Sequence, residues 1–244
     1  MIPKVIHYCW FGRNPLPKLA RKCIESWKKY CPDYEIIEWN EDNFDINFCD
    51  YVKEAYEAKK YAFVSDYARF KILYEHGGLY FDTDVEIIKS LDNIVEKGGF
   101  MGCENDTVPM VAPGLGLGVK PGLELYKELM DVYHSTHFLN EDGTFNQKTV
   151  VEYTTEVLQK HGLKDNGEIQ EIAGIYIYPK EYFCPKDSVT RELNLTKNSV
   201  AIHHYDGSWM ESDRKFVNLV TDVFGYRTTK VLIKIKHFLK GIKK

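Results

Sequence analysis

No two of the six cysteines, Cys9, Cys23, Cys31, Cys49, Cys103 and Cys184, form a Cys-x-x-Cys pair, and none stands at zinc-ligand spacing from a histidine. A zinc ribbon and a thioredoxin-like redox motif are thereby excluded, and buried thiols of a reducing compartment are expected. No apolar run approaches the roughly 18 residues of a membrane-spanning helix. The opening apolar stretch from Val5 to Phe11 is short and interrupted by polar residues, so no cleavable signal peptide is expected. The chain has no Gly-x-Ser-x-Gly elbow, which leaves a nucleophilic triad without support. Gly114-Leu115-Gly116-Leu117-Gly118 fits neither the phosphate loop nor the dinucleotide fingerprint. A strand that lets a substrate approach closely is expected there.

Positive charge is scarce over most of the chain. The net charge is −4, yet residues 227 to 244 carry seven Lys or Arg and no acid, leaving −11 on the rest. An acidic body argues against nucleic acid as a partner. In the basic tail, Val231, Ile235, Phe238 and Ile242 follow helical spacing with lysines on the flanks. That pattern suits an interfacial helix on an anionic membrane. The expected organisation is therefore one catalytic domain over residues 1–226 and a basic amphipathic tail over 227–244. The expected location is cytoplasmic, with peripheral attachment to the inner face of the cell membrane.

What the chain does contain is ordinary for a globular protein of 244 residues, with 44% hydrophobic and 28% charged residues. Aromatics are plentiful, at 14% with 17 Tyr. Residues 4 to 10 read as a buried strand, 19 to 31 as a helix and 34 to 39 as a second strand, an α/β sheet with a parallel start. Residues 47 to 60 and 61 to 76 follow helical periodicity, the second ending on Gly77-Gly78 as a glycine cap. Short strands are expected at 79 to 81, 85 to 88, 100 to 104, 115 to 119, 175 to 178 and 200 to 204, and helices at 122 to 137 and 149 to 161.

The chemistry concentrates around Gly77-Gly78-Leu79-Tyr80-Phe81-Asp82-Thr83-Asp84. A strand puts residues i and i+2 on one face, so Asp82 and Asp84 can address one cation. Hard oxygen ligands of this kind hold Mg²⁺ or Mn²⁺, with substrate phosphates completing the coordination. The competing role is a turn in which an Asp satisfies backbone N–H groups. Asp66 and Arg69 lie one helical turn apart on the preceding helix, as an intrahelical pair or as a sugar- and phosphate-binding pair. Trp10 closes the first strand, at the end where α/β sheets bind ligands, as a core residue or as a platform for a nucleobase. The pair His203-His204 precedes a glycine loop and offers a nitrogen ligand.

Taken together, Ile2 to Gly12, Ala62 to Arg69, Gly77 to Asp84, and His203-His204 with Ser208-Trp209 resemble the bacterial members of glycosyltransferase family 32. That group includes capsular-polysaccharide sugar transferases and the yeast-type initiating mannosyltransferases. The chain is also distantly similar to the glucosylating domains of large clostridial toxins. The resemblance implies a GT-A fold, a Rossmann-like nucleotide-sugar-binding mixed sheet flanked by helices. It implies a metal-dependent retaining transferase that moves a hexose or N-acetylhexosamine from a nucleotide-diphosphate sugar, expected to be a UDP-sugar. The acceptor would be a glycan or a lipid-linked saccharide in surface-polysaccharide synthesis.

Carried over by position, Trp10 stacks on the base, Asp66 and Arg69 hold the donor sugar, and Tyr80 and Asp82 contact the nucleoside side. Asp84 ligates Mn²⁺ or Mg²⁺ most directly, with Asp82 beside it and His204 as the third protein ligand, His203 being the alternative. Ser208 and Trp209 contact the leaving diphosphate. Asp66, Arg69, Asp82 and Asp84 are the catalytic set. A toxin-like enzyme that glycosylates protein and a non-catalytic sugar-binding module are the competing functions.

Overall fold

A computed structural model describes residues 1–105 and 108–207, and beyond them 217, 220–223, 225–226 and 228–229. The strands are β1 (Val5–Cys9), β2 (Glu35–Trp39), β3 (Gly78–Tyr80), β4 (Val85–Ile87), β5 (Gly99–Gly102), β6 (Leu117–Val119), β7 (Gln170–Ile172), β8 (Ile175–Tyr178) and β9 (Ala201–His203). The helices named among the described residues are α1 (Lys18–Tyr30), α2 (Asp50–Glu57), α3 (Tyr61–His76), α4 (Asp92–Lys97), α5 (Glu124–His134), α6 (Val150–Lys160) and α7 (Lys180–Phe183), with a 3₁₀ turn at Pro113–Leu115.

Seven strands form one mixed sheet in the order β2-β1-β3-β6-β5-β8-β7. β2, β1 and β3 run parallel, β6 runs against both β3 and β5, and β5 is parallel to β8. The carboxyl ends of β1, β3 and β5 therefore share one edge of the sheet with the amino end of β6. This is the expected mixed sheet flanked by helices. β4 and β9 instead form a separate antiparallel pair, with Val85 opposite His203. The short elements β7, α4 and α7, each of three to six residues, are too brief for periodicity to announce them.

Each sheet face carries its own core. Tyr67, Phe70, Leu117, Tyr126 and Tyr133 bury against one face with α3 and α5. Ile6, Trp27, Phe81, Phe100 and Phe183 fill the other with α1 and α7. α1 forms because Ala20, Cys23, Ile24 and Trp27 recur on one stripe, all buried, and Lys28 and Lys29 complement the dipole in its last turn. Trp27 Nε1–H donates to the Val85 carbonyl at 2.7 Å, and Ser26 Oγ accepts from the Ile87 amide at 2.9 Å. These two bonds fasten β4, which follows the acidic segment, to α1.

α3 is buried on most sides, including Val64, Tyr67, Ala68, Arg69, Phe70, Ile72 and Leu73. It stops at Gly77, whose φ of 63° and close approach to Pro121 admit no side chain, and the chain turns at once into β3. That abrupt reversal places the helix end directly beside the strand.

His7 secures the junction from below. It is 1% exposed. Its Nδ1 accepts from Trp39 Nε1–H at 3.0 Å, so its Nε2–H donates to the Gly77 carbonyl at 3.0 Å. Burial pushes its pKa down to about 4, the Gly77 bond opposing and His76 adding to the shift. A base depressed in the folded state is neutral in both states at pH 7 and costs nothing there. As pH falls below the unfolded value near 6.5, the unfolded chain takes the proton first. Stability then drops until about pH 4, by about 3 kcal/mol. Urea unfolding between pH 7 and pH 4 checks this. Wild type loses that amount more than His7→Gln, whereas parallel curves would exclude it.

Candidate functional site

The edge shared by β1, β3 and β6 gathers the acidic segment, and Arg69 organises it. Arg69 is 3% exposed, and its Nη2 lies 3.0 Å from Asp66 Oδ1 and 3.2 Å from Asp82 Oδ1. Its Nε–H donates to the Ser65 carbonyl at 3.0 Å, which fixes the fork against its own helix. The guanidinium carbon sits 5.1 Å from the centre of the Tyr80 ring, and the Tyr80 hydroxyl donates to Asp82 Oδ1 at 3.1 Å. Two carboxylates, one largely buried and one partly exposed, thus share one buried guanidinium. Burial drives the Asp66 carboxyl pKa upward, against the pull of Arg69. The intrahelical pair foreseen for Asp66 and Arg69 exists, but it is one half of a bridge from α3 to the end of β3.

Gly114 completes the seat of Asp82. The Asp82 amide donates to the Gly114 carbonyl at 3.0 Å, and a Cβ at Gly114 would collide with Asp82 Oδ2. Gly116 likewise admits Phe81, and Gly118 admits Phe100 and Leu79. The glycines of this segment make room for the protein's own side chains. Since Gly114 does not need a left-handed conformation, Gly114→Ala is expected to fold and to push the Asp82 carboxylate aside. A shift of that size costs about a hundredfold in turnover. Steady-state kinetics beside an unchanged circular dichroism spectrum checks it.

Asp84 has other partners. Its Oδ1 lies 3.3 Å from His203 Nε2, and its Oδ2 accepts the Asp206 amide at 2.9 Å. Its own carbonyl accepts the His204 amide at 2.9 Å. Burial works to raise the Asp84 pKa, but His203 and the Asp206 amide outweigh it and hold the carboxyl at about 2. Burial opposes a charged imidazole at His203, yet Asp84 beside it holds that ring protonated well above the ordinary histidine range.

His204 does not join this group. Its Nε2 lies 2.8 Å from Glu86 Oε2, which also takes Lys22 Nζ at 2.7 Å. Successive side chains along a strand point to opposite faces, so the residue next to His203 faces away from Asp84. The histidine that the structure brings to Asp84 is His203, whereas His204 lies on Glu86.

Trp10 is half-buried at the exit of β1, with its Nε1–H donating to the Asn14 carbonyl at 2.6 Å. It leaves the sheet from the same edge as Asp82, because β1 and β3 are parallel neighbours. Ser208 and Trp209 lie outside the described residues, as does most of the tail from 227. Glu104, just past the carboxyl end of β5, reaches the same edge with a carboxyl whose pKa burial raises, in the field of His203 and Lys180. Sequence spacing gave no sign of it, since it stands alone between a strand and a loop.

The fit to a divalent cation turns on the donor set. Among the described residues no three His, Cys, Asp or Glu side chains converge into a complete protein cage. Asp82 and Asp84 are two hard carboxylate donors on one short segment. Mg²⁺ is ordinarily held by one or two carboxylates together with substrate phosphates and waters, so the donor set fits a cation that arrives with a diphosphate.

A mixed sheet of this order with an Asp-x-Asp segment at its ligand edge defines a GT-A type of fold. Residues 17–100 match the family of the glycosyltransferase sugar-binding region containing DXD motif, a stretch that runs from α1 through Asp84 to β5. Relatives of the chain are glycosyltransferases. An uncharacterized glycosyltransferase of Acanthamoeba polyphaga mimivirus is 36% identical over 106 residues, covering 41% of this chain and 42% of that protein. Inositol phosphoceramide mannosyltransferase 1 of Schizosaccharomyces pombe is 29% identical over 111 residues, covering 41% of this chain and 33% of its own length. The chain thus spans less than half the length of the curated relatives it matches. Among solved structures, the PaToxG glycosyltransferase superposes with a TM-score of 0.50 at 20% identity, over 65% of this chain and 69% of that one, a likeness of fold.

Proposed function

We propose that this protein is a metal-dependent glycosyltransferase that takes a sugar from a nucleoside diphosphate donor and passes it to a hydroxyl of a glycan or lipid-linked saccharide. The observation that carries the proposal is the Arg69 bridge. It locks Asp66 and Asp82 around one buried guanidinium at the ligand edge of the sheet, within the matched sugar-binding region. Buried charge arranged in this way is costly, and active sites are where such arrangements recur.

Asp84 and Asp82 would hold the cation, with His203 beside them as the ion-pair partner that orients Asp84. A bound Mn²⁺ or Mg²⁺ supplies positive charge against which the departing diphosphate develops its negative charge. The chain's own residues do the positioning. Arg69 and Tyr80 fix the Asp82 carboxylate, so no reorganisation is needed when the donor arrives. Asp66 faces the donor sugar in this proposal, accepting hydrogen bonds from its hydroxyls and favouring positive character at the anomeric carbon. Trp10, leaving the same edge, offers a flat face to the base.

In the transfer, the bond from the anomeric carbon to the phosphate oxygen breaks and a bond to the acceptor oxygen forms. The acceptor proton passes to the leaving phosphate. Retention of anomeric configuration is the outcome the family resemblance implies, through attack from the face the diphosphate leaves. Attachment of the basic tail to an anionic membrane belongs to the same proposal, and it would bring the site to a lipid-linked acceptor. None of the described helices is long and apolar enough to cross a membrane.

A screen of UDP- and GDP-linked hexoses and N-acetylhexosamines for hydrolysis, with Mn²⁺ and with EDTA, tests the proposal. Turnover of one donor with Mn²⁺ and none with EDTA is expected. Full activity in EDTA would remove the cation from the mechanism, and no turnover of any donor would remove the transferase.

A further inference from the structure

The segment that delivers His203 and the Asp206 amide to Asp84 is held by a residue far from the acidic motif. Residues 185–194 form a small hairpin, with Lys186 bridged to Leu193 and the Asn194 amide donating to the Pro185 carbonyl at 3.0 Å. Asp187 builds its tip. Its Oδ1 accepts the amides of Val189 at 2.9 Å and Thr190 at 2.6 Å, and its carbonyl accepts the Arg191 amide at 3.0 Å. The tip holds Arg191 at φ 64°, a left-handed conformation that residues with a Cβ seldom adopt.

The reach of that side chain explains why the turn is worth building. Arg191 is 6% exposed and grips Asp222 through two parallel bonds, Nε to Oδ1 at 3.0 Å and Nη2 to Oδ2 at 2.7 Å. Lys186 adds a third contact to Asp222 Oδ1 at 2.9 Å. The remaining Arg191 nitrogen, Nη1, donates to the Tyr205 carbonyl at 3.2 Å. Tyr205 is itself left-handed, at φ 53°, and its hydroxyl lies 2.9 Å from Cys184 Sγ. The very next amide, that of Asp206, is the one that caps Asp84. One guanidinium therefore joins the helical segment at 220–223 to the peptide preceding the Asp84 contact. A planar fork with all three nitrogens engaged transmits position in a way a lysine cannot.

We propose that Arg191 is a positioning residue that couples the seating of the 220–223 segment to the placement of residues 203–207 against Asp84. The seating of residues 220–223 then sets how firmly the Asp84 side of the site is held. The coupling rests on reading Asp84 as part of the donor site, but its physical core, a clasp on residues 203–207, is measurable without any donor.

Hydrogen–deuterium exchange of residues 203–207 in the full chain, for Arg191→Lys, Asp222→Asn and the double variant, tests it. Losing a charge-assisted bond of this kind speeds exchange of that segment about tenfold. β1 and β3 are expected to stay protected, and the double variant to be no worse than the worse single one, since both act through one chain of contacts. In turnover, Arg191→Lys raises the donor KM about tenfold with kcat held within about twofold. Unchanged exchange at 203–207, or an equal increase across β1 and β3, would overturn the coupling. If wild type turns over no nucleotide sugar, the transferase proposal fails while the exchange result still decides the clasp.

Discussion

Arg69→Met is expected to destabilise the fold by about 3–5 kcal/mol, the scale for breaking a buried ion pair by removing one partner. The guanidinium is 3% exposed and is the cation shared by Asp66 and Asp82. Without it Asp66 is left largely buried with no cation, while Asp82 keeps partial access to water. Asp66, whose carboxyl is already pushed upward by burial, would take up a proton, and the Asp82 oxygen would keep only the Tyr80 hydroxyl. The diagnostic variant is the double substitution Asp66→Asn with Arg69→Met. It removes the buried carboxyl that must otherwise take up a proton when Arg69 is lost and is expected to recover part of the loss, so the two changes are not additive. Urea unfolding followed by circular dichroism measures both. A cost below about 1 kcal/mol for Arg69→Met would mean that the bridge is not what holds α3 to the end of β3.

Asp84→Asn is expected to act on turnover instead. Its carboxylate is held ionised at about 2 by His203 and the Asp206 amide, against the effect of burial. It is thus a fixed negative charge at neutral pH, which a cation-bound diphosphate requires. Asparagine keeps the shape and can still accept the Asp206 amide, but it brings no charge. Donor turnover is expected to fall about a thousandfold, the upper range for removing one preorganised electrostatic group. Asp82→Asn should combine a comparable loss with lower stability, because Asp82 also neutralises Arg69. kcat/KM beside the unfolding midpoint of each variant separates the two effects.

The elements with strong periodicity were legible. α1 appears close to its expected limits because its apolar residues recur every three or four positions; α3 is apolar on most sides, and its limit was legible because the Gly77-Gly78 stop reads directly as a helix end. Less legible were the features set by long-range pairing. That Val85 and His203 would meet in a sheet of their own depends on contacts more than a hundred residues apart. That pairing decides which histidine faces Asp84. The resemblance pointed to the His203-His204 pair, but it could not tell which of the two rings meets Asp84 and which meets Glu86. Gly114 was legible as unusual, but its contact with Asp82 was not, since Asp82 lies 32 positions earlier in the chain. The Arg191 clasp had no signal at all, being an ordinary arginine in an ordinary loop until the fold brings Asp222 and Tyr205 to it.

The central claim is that Asp82 and Asp84 hold a nucleoside diphosphate through a divalent cation. Isothermal titration of UDP and GDP into wild type and Asp84→Asn, each with Mn²⁺ and with EDTA, tests it most directly. The expected result is binding of one nucleotide by wild type with Mn²⁺, weakened at least about a hundredfold by EDTA and by Asp84→Asn alike. Equal affinity in all four conditions would contradict it.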